Sequence, residues 1–211
     1  MDGVFVDSWD SGNEAFLKLK FNGNTMDEVV KNHKVYTSHK PYHAKGEKVT
    51  PEKIKMVTDQ LEQAFIIMQQ SSKHKFFDGF VNEVLKIKDA RFALVSANSR
   101  SHLNHFTMNT EIKFTHALSF EDDISKESKV EKVISDWNIK NDEAIYVTDT
   151  LADIYELQDF MPKTNLIGCA WGYSGYEDLA KELPERQIMN EFKDIHDIIE
   201  KILPHGDNRH A

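Results

Sequence analysis

The chain has 211 residues, 40% of them hydrophobic and 29% charged, which suits one soluble domain with an insertion and a substantial core. Its net charge of −9 argues against sequence-independent nucleic-acid binding, which needs an excess of Lys and Arg, and favours small or metal-bridged ligands. No apolar run approaches the roughly 18 residues of a membrane span, and the first residues do not resemble a signal peptide. The single Cys169 excludes an internal disulfide. We therefore expect a cytoplasmic protein with no membrane partner.

The chain starts with residues 1–8, Met-Asp-Gly-Val-Phe-Val-Asp-Ser. Gly3 allows a sharp turn, and no strand precedes it. A doubly wound domain normally begins with a strand. We therefore expect the first strand of such a domain to be missing.

Residues 12–76 are predicted to be helical and polar, without alternating strands. The clearest helix starts with Thr50 as N-cap and Pro51 in its first turn. An apolar stripe with a 3.6-residue period then continues through Ile54, Val57, Leu61, Ala64, Phe65 and Met68. Residues 32–48 show no periodicity and are predicted to form a loop rich in Lys and His.

From Phe77 the pattern changes to alternating helices and strands. Strands are predicted at 92–95, 116–120, 144–147 and 165–171, and helices at 78–87, 101–109, 128–137, 152–160 and 190–202. Such alternation is typical of a parallel sheet covered on both faces. We therefore predict an α/β fold with a Rossmann-like parallel sheet and an inserted helical segment.

Polar residues follow the predicted strands. Right-handed crossovers would bring the strand ends at Ser96, Phe120 and Asp149 to one edge, where ligands bind in open parallel sheets. Asp149 and Asp153, one helical turn apart, could share a hard cation such as Mg²⁺, which takes oxygen ligands. Alternatively, Asp149 caps the following helix and Asp153 only complements the helix dipole. The motif alone leaves both interpretations open.

The same edge has the groups that phosphoryl transfer needs. Such chemistry depends on cations around the phosphoryl oxygens and on an in-line nucleophile. A metal on Asp149, the ammonium group of Lys129 and the hydroxyl of Ser96 would form a phosphate site. Ser96 as a helix cap and Lys129 as a solvated helix residue are the simpler alternatives. The attacking group is not among these residues.

Four motifs in this order resemble the haloacid dehalogenase-like hydrolases, most closely the phosphoglycolate phosphatase-like branch with a helical cap. They are Ser96-Ala97-Asn98 after an apolar strand, a lysine early in the next helix, Val147-Thr148-Asp149 with Asp153, and Ile167-Gly168-Cys169-Ala170-Trp171-Gly172-Tyr173. The resemblance covers essentially the whole chain. It implies a core of residues 1–11 and 77–211 and a helical cap of residues 12–76. Thr148 departs from the family, which usually has Gly there.

The first motif of the family reads Asp-x-Asp-Gly-(Val/Thr)-(Leu/Phe)-Val-Asp-Ser, and residues 1–8 match it from the x position onward. The resemblance implies that Asp2 is the general acid/base and that its backbone carbonyl binds magnesium. The first aspartate, the nucleophile that becomes aspartyl-phosphate, would lie before Met1, together with the first, central strand of the sheet. We expect a start placed one motif too late, or else a relative that has lost catalysis. In both cases the 211 residues should be inactive or nearly so.

The resemblance also implies roles for the later motifs. Ser96 would hold a phosphoryl oxygen, and Lys129 would neutralise the nucleophile and the phosphate, with Lys126 as a rival for that role. The magnesium ligands would come from Asp2, Asp149 and Asp153, where Asp153 binds or orients the ion. Candidates for substrate binding are Asn98 and, in the cap, His39, Lys40, Tyr42 and His43.

The function implied is magnesium-dependent hydrolysis of a small phosphate ester, which could be phosphoglycolate, a nucleotide or a sugar phosphate. A catalytically dead binding or regulatory relative is the alternative. A receiver-like or nucleotide-binding module is a third possibility, but it would not need a long helical insertion. The chain also has no Gly-x-Gly-x-x-Gly or Gly-x-x-x-x-Gly-Lys-(Ser/Thr) sequence, which argues against a glycine loop for phosphate.

Overall fold

The computed structural model describes residues 1–38 and 45–203. Its strands are β1 (Val6–Asp7), β2 (Lys75–Phe76), β3 (Phe92–Val95), β4 (Phe114–Leu118), β5 (Tyr146–Thr148), β6 (Leu166–Cys169) and β7 (Ile188–Met189). Its helices are α1 (Trp9–Leu19), α2 (Met26–Ser38), α3 (Pro51–Met68), α4 (Asp78–Leu85), α5 (Arg100–Met108), α6 (Lys126–Trp137), α7 (Leu151–Leu157), α8 (Gly175–Leu179) and α9 (Asp194–Ile202).

The strands of the second part of the chain pair in parallel, with helices between them. β3 pairs with β4, and β5, β6 and β7 follow one another in a second parallel sheet. These strands are short apolar runs, as expected for strands that are covered on both faces. The predicted α/β fold with parallel strands is therefore confirmed.

β3 and β5 face each other without pairing. Among the residues described, no backbone ladder joins them. A cavity of about 1070 Å³ is lined both by residues 92–98 and by residues 143–150. The described residues thus form two separate parallel sheets with a cavity between them, and the missing central strand stays a prediction.

Apolar clusters cover the two faces of the parallel strands. On one face, Ile154, Leu157 and Leu166 are completely buried together with residues of α6. On the other, Phe80 of α4 and Ile195 of α9 pack against the strands. The two helical layers hold the strand ends in place.

The helical segment lies between two strands that pair with each other. β1 and β2 are antiparallel, with Val6 opposite Phe76 and Asp7 opposite Lys75. The chain therefore leaves the core before α1 and returns after α3 at two adjacent positions. The first of these helices begins at Trp9, before the predicted boundary at residue 12. We call α1 to α3 the cap; its division from the core stays a prediction.

α2 extends to Ser38, into residues 32–48, which were predicted to form a loop. Its buried positions are Val29, His33 and Thr37, which have the helical spacing of four residues. Two of the three are polar, so no apolar period is visible in the sequence. His33 is satisfied by Asn13 Oδ1 at 2.8 Å, and the Thr37 hydroxyl donates to the carbonyl of His33 at 3.1 Å.

The end of the core also differs from its prediction. The last helix begins at Asp194 rather than after Asn190, because the Asp194 carboxylate accepts hydrogen bonds from the backbone N–H groups of Asn190 and Glu191, at 2.9 Å each. β7 and α8 were not predicted. No helix in residues 1–38 and 45–203 is long and apolar enough to cross a membrane.

Candidate active site

Ser96 lies at the carboxyl end of β3 and is buried. Its hydroxyl accepts a hydrogen bond from the backbone N–H of Asn98 at 3.2 Å, while Ser99 occupies the N-cap position of α5. Ser96 therefore shapes the turn after the strand and is not the helix cap. It lines the same cavity as Asp149, as predicted from the strand order.

Lys126 and Asp153 form a buried ion pair at the end of β5. The ammonium group of Lys126 donates to one oxygen of Asp153. The other oxygen accepts hydrogen bonds from Thr148 Oγ1 at 2.8 Å and from the Tyr146 hydroxyl at 3.1 Å. Burial alone would lower the pKa of Lys126 and raise that of Asp153, but the opposite charges outweigh it and shift both pKa values the other way. Both groups are held ionised.

Asp149 is buried one helical turn away from Asp153. Burial raises the pKa of its carboxyl to about 6, although the backbone N–H of Tyr173 donates to Oδ2 at 2.9 Å. Two glycines make room for this carboxylate. A Cβ on Gly3 would lie 1.7 Å from Asp149 Oδ2, and one on Gly172 would lie 2.2 Å from Asp149 Cβ. The backbone at Gly3 and Gly172 thus packs directly against Asp149.

Asp2 is positioned by groups that follow β3. Asn98 Nδ2 donates to Asp2 Oδ2 at 2.9 Å, and His102 Nε2 lies 3.8 Å from Oδ1. Oδ1 itself is buried and has no hydrogen-bond partner among the residues that the structure describes. His102 stacks on Phe65 of the cap at 4.0 Å between ring centroids, and burial lowers its pKa to about 4. His102 is therefore a neutral ring between the cap and Asp2.

Lys129 lies one turn after Lys126 and makes different contacts. Its ammonium group donates to the carbonyl oxygens of Ser96 at 2.6 Å and Ser119 at 3.1 Å, which joins the ends of β3 and β4. Burial, followed by the charge of Lys126, lowers its pKa to about 8. The structure thus places Lys126 next to Asp153 and places Lys129 against the backbone at the ends of β3 and β4. The predicted role of Lys129 stays a prediction.

The donor groups partly fit a hard cation. Among the described residues, no group of three or more His, Cys, Asp or Glu side chains is arranged to hold a metal ion. Asp149 and Asp2 do offer oxygen atoms, the type of ligand that Mg²⁺ takes, and among the described residues Oδ1 of Asp2 has no hydrogen-bond partner. Asp153 has both oxygens engaged by protein groups, so it fits the orienting role.

Two rings of the cap, Trp9 and His33, form an aromatic cluster with Tyr173 of the core, and His33 and Tyr173 line the same cavity. Trp9 stacks on His33 at 4.5 Å between centroids, and Tyr173 packs against both rings. The Tyr173 hydroxyl is also hydrogen-bonded to Ser8 Oγ at 2.5 Å. The predicted substrate candidates His39, Lys40, Tyr42 and His43 lie outside the described residues, and Asn98 is bonded to Asp2.

Sequence reasoning missed several contacts of the site. Thr148, identified only as a departure from the family, donates to Asp153. Tyr146 and His102 were not identified as candidates. Tyr146 belongs to a predicted strand, and His102 lies in the first turn of the helix that follows β3, so both lie near the predicted edge. Trp171 of the last family motif packs on Phe192 with 4.8 Å between ring centroids.

Comparison with protein families gives a match over residues 1–158 to the family described as haloacid dehalogenase-like hydrolase. No curated protein matches the sequence.

Several solved structures share the fold. A "putative phosphoglycolate phosphatase" from Lactobacillus delbrueckii subsp. bulgaricus is 15% identical, with 97% of this chain and 96% of that chain covered and a TM-score of 0.65. A hydrolase from Pseudomonas syringae is 15% identical over 96% of both chains, with a TM-score of 0.66. A "putative beta-phosphoglucomutase" from Bacteroides vulgatus is 15% identical over 97% of this chain and 88% of that one, with a TM-score of 0.64. At these identities the similarity shows a common fold.

Proposed function

The chain belongs to the haloacid dehalogenase-like hydrolases, and from this we propose that it forms the phosphate and magnesium site of a phosphatase-type enzyme acting on a small phosphate ester. The observation that carries the proposal is the buried pair of Lys126 and Asp153 beside Asp149. Ser96 lines the same cavity from the neighbouring strand. Phosphoryl groups need such a combination of fixed cations and hydrogen-bond donors.

In this proposal, two groups hold the phosphoryl oxygens. The Ser96 hydroxyl donates to one oxygen, and the ammonium group of Lys126 neutralises their charge. Lys126 is favoured over Lys129 because Lys129 already donates to two backbone carbonyls. Asp153 keeps Lys126 charged and oriented.

Asp149 and the Asp2 backbone carbonyl would hold the magnesium ion. When bound, Mg²⁺ supplies positive charge to the phosphoryl oxygens. The raised pKa of Asp149 reflects the cost of burying its charge, and a divalent ion would offset that cost. The Asp2 side chain, held by Asn98, is suited to move a proton to or from the ester oxygen.

The attacking group decides whether the chain is active. The family resemblance implies an aspartate at the end of a strand between β3 and β5, and the described residues form no strand there. We therefore propose that the 211 residues bind phosphate esters with little or no turnover. Loss of one attacking group removes many orders of magnitude from covalent catalysis. A binding or regulatory role remains the alternative function.

The substrate belongs to the small phosphate esters, and phosphoglycolate, nucleotides and sugar phosphates are the candidates to compare. The aromatic cluster of Trp9, His33 and Tyr173, of which His33 and Tyr173 line the cavity, is the surface we propose for contact with the organic part of the ester. We also propose a cytoplasmic location, with which the free, buried thiol of Cys169 is consistent.

The test combines binding and turnover. Titration calorimetry with orthophosphate should give a signal that requires Mg²⁺, while hydrolysis of p-nitrophenyl phosphate by the same sample should be absent or nearly so. Clear hydrolysis that depends on Lys126 would contradict the proposed inactivity but would support the assignment of the site. Absence of phosphate binding at millimolar concentration, with and without Mg²⁺, would overturn the proposed function.

A further inference from the structure

Lys126, the cation proposed to bind the phosphoryl group, is the first residue of α6. A lysine side chain is a flexible stem with its charge at the tip, and the first turn of a helix has no intrahelical partners for its N–H groups. The ion pair with Asp153 fixes only the ammonium end of Lys126. The place of this charge therefore also depends on what holds the start of α6.

The start of α6 is held by Glu156, a residue of α7. One oxygen of its carboxylate, Oε1, accepts hydrogen bonds from the backbone N–H groups of Lys126 at 2.6 Å and of Glu127 at 3.2 Å. A negative charge at this place also suits the positive end of the helix dipole. Glu156 thus binds the backbone of the same residue whose side chain is bound by Asp153.

A third hydrogen bond joins Glu156 to the N-cap of α6. The Ser125 hydroxyl, which is completely buried, donates to Glu156 Oε1 at 3.0 Å. Because its only proton is used there, its lone pairs accept the hydrogen bond from the backbone N–H of Ser128 at 3.2 Å. The carboxylate of Glu156 therefore also orients the hydroxyl that caps the helix.

α7 connects these contacts to the proposed magnesium ligand. Asp153 and Glu156 lie three residues apart on this helix, so their side chains point to the same side of it. α7 begins at Leu151, two residues after Asp149 at the end of β5. One short helix therefore holds both ends of Lys126 and starts next to the carboxylate proposed to bind the metal ion.

A simpler explanation is that Glu156 only caps a helix, as Asp194 does at the start of α9, where its carboxylate accepts two backbone N–H groups. Two observations favour more than this. Glu156 lines the cavity of the candidate active site, and the N–H group it binds at the shortest distance belongs to Lys126. Burial also raises the pKa of the Glu156 carboxyl, so the charge is kept there at a cost in stability.

We propose that Glu156 is a positioning residue of the phosphate site, which together with Asp153 holds Lys126 by its backbone and by its ammonium group. Glu156 acts through Lys126 and does not contact the phosphate itself. This role rests on the proposed function, whereas the effect of Glu156 on the Lys126 side chain can be measured without any ligand.

The first test measures the reactivity of Lys126 in the ligand-free chain of 211 residues. Acetic anhydride acetylates lysines that are deprotonated and accessible, and mass spectrometry of the digested protein gives the rate at each lysine. In Glu156→Leu, which removes the acceptor, we expect Lys126 to react about tenfold faster. Lys129, which donates to two backbone carbonyls, should keep its rate. Glu156→Gln retains one acceptor oxygen and should lie between the wild type and the Leu variant.

Asp194→Leu is the matched control. It removes a carboxylate that also accepts two backbone N–H groups, those of Asn190 and Glu191, and should change the rate at neither lysine. Equal acceleration at Lys126 and Lys129, or an unchanged rate at Lys126 in the Glu156 variants, would overturn the proposal. If Glu156→Leu does not fold, Glu156→Gln serves in its place, with a rise of about threefold expected at Lys126.

The second test measures the affinity for orthophosphate in the presence of Mg²⁺ by titration calorimetry. Glu156→Leu should bind about fivefold more weakly or worse, Glu156→Gln should lie between it and the wild type, and Asp194→Leu should bind as the wild type does. Wild-type affinity in the Glu156 variants, or an equal loss in the control, would contradict the positioning role. If the wild type binds no phosphate, the proposed function fails, while the acetylation rates still decide whether Glu156 positions Lys126.

Discussion

The ammonium group of Lys126 and the carboxylate of Asp153 form an ion pair in which the two side chains are only 18% and 9% exposed. Tyr146 and Thr148 hold the second oxygen of Asp153, so the pair is fixed to the end of β5. A buried pair with this many partners contributes orientation more than net stability. Its position beside Asp149 makes it the central feature of the candidate site.

Replacement of Lys126 by Met should destabilise the protein by about 3–5 kcal/mol, because the charge of Asp153 would remain buried without its cation. The double substitution Lys126→Met with Asp153→Asn should recover at least half of this loss, since no charge is then left unpaired. Urea unfolding of the two variants and the wild type measures the difference. A double variant as unstable as Lys126→Met would show that the pair is not the cause.

Replacement of Gly3 by Ala tests the contact between Gly3 and Asp149. Gly3 has a φ of +69°, and an added Cβ would overlap Asp149 Oδ2, so Asp149 or the first turn must move. Gly46→Ala is the matched control, because Gly46 has a φ of +80° and, among the described residues, no atom lies within 4 Å of the added Cβ.

We expect the control to cost about 1–2 kcal/mol from left-handed backbone strain alone. Gly3→Ala should cost clearly more than the control and should weaken Mg²⁺ binding. Equal unfolding free energies of the two variants, measured in urea, would contradict the packing described for Gly3.

His33 should make the protein less stable in mild acid. Burial lowers its pKa from 6.5 to about 4, so the unfolded chain takes up a proton at a higher pH than the folded chain does. Stability from this residue is therefore complete above about pH 6.5, falls as the pH decreases to about 4, and changes no further below that. The full effect is about 3 kcal/mol.

The substitution His33→Gln isolates this contribution, because Gln retains a donor for Asn13 and does not titrate. The unfolding free energy of the wild type should fall more steeply between pH 6.5 and 4 than that of the variant. Parallel curves would show that His33 does not titrate differently in the two states.

Thr148 should stabilise the orientation of Asp153 through its hydroxyl. Thr148→Val keeps the shape of the side chain but removes the 2.8 Å hydrogen bond to a charged acceptor, which should cost about 1.5–3 kcal/mol. Thr148→Ser keeps the hydroxyl and should cost less. If the Val variant is as stable as the Ser variant in thermal unfolding, the Thr148 hydroxyl does not stabilise Asp153.

The sequence was sufficient for the elements that have strong local signals. The Thr50 N-cap and Pro51 define the start of α3, and Thr50 Oγ1 accepts from Lys53 N at 3.3 Å. The apolar runs of β3, β5 and β6 were recognisable because parallel strands are covered on both faces. Their order also placed Ser96 and Asp149 at one edge.

Contacts between distant segments could not be predicted in this way. The choice between Lys126 and Lys129 depends on where α6 begins, and Ser125, whose Oγ accepts from Ser128 N at 3.2 Å, starts the helix at Lys126. Lys126 then lies in the first turn near the acids, and Lys129 reaches carbonyls one turn later. The position of His102, whose Nε2 lies 3.8 Å from Asp2 Oδ1, depends on the cap because Phe65 stacks on its ring.

The most direct test of the proposed site is the affinity for orthophosphate with and without Mg²⁺, measured by titration calorimetry on the wild type and on Lys126→Met with Asp153→Asn. This double variant leaves no charge unpaired, so a folding defect should not obscure the result. We expect binding that requires Mg²⁺ in the wild type and is at least about tenfold weaker in the variant, as for loss of a charge-assisted hydrogen bond. Equal, Mg²⁺-dependent affinities in the two proteins would contradict the assignment of Lys126 to the phosphate site.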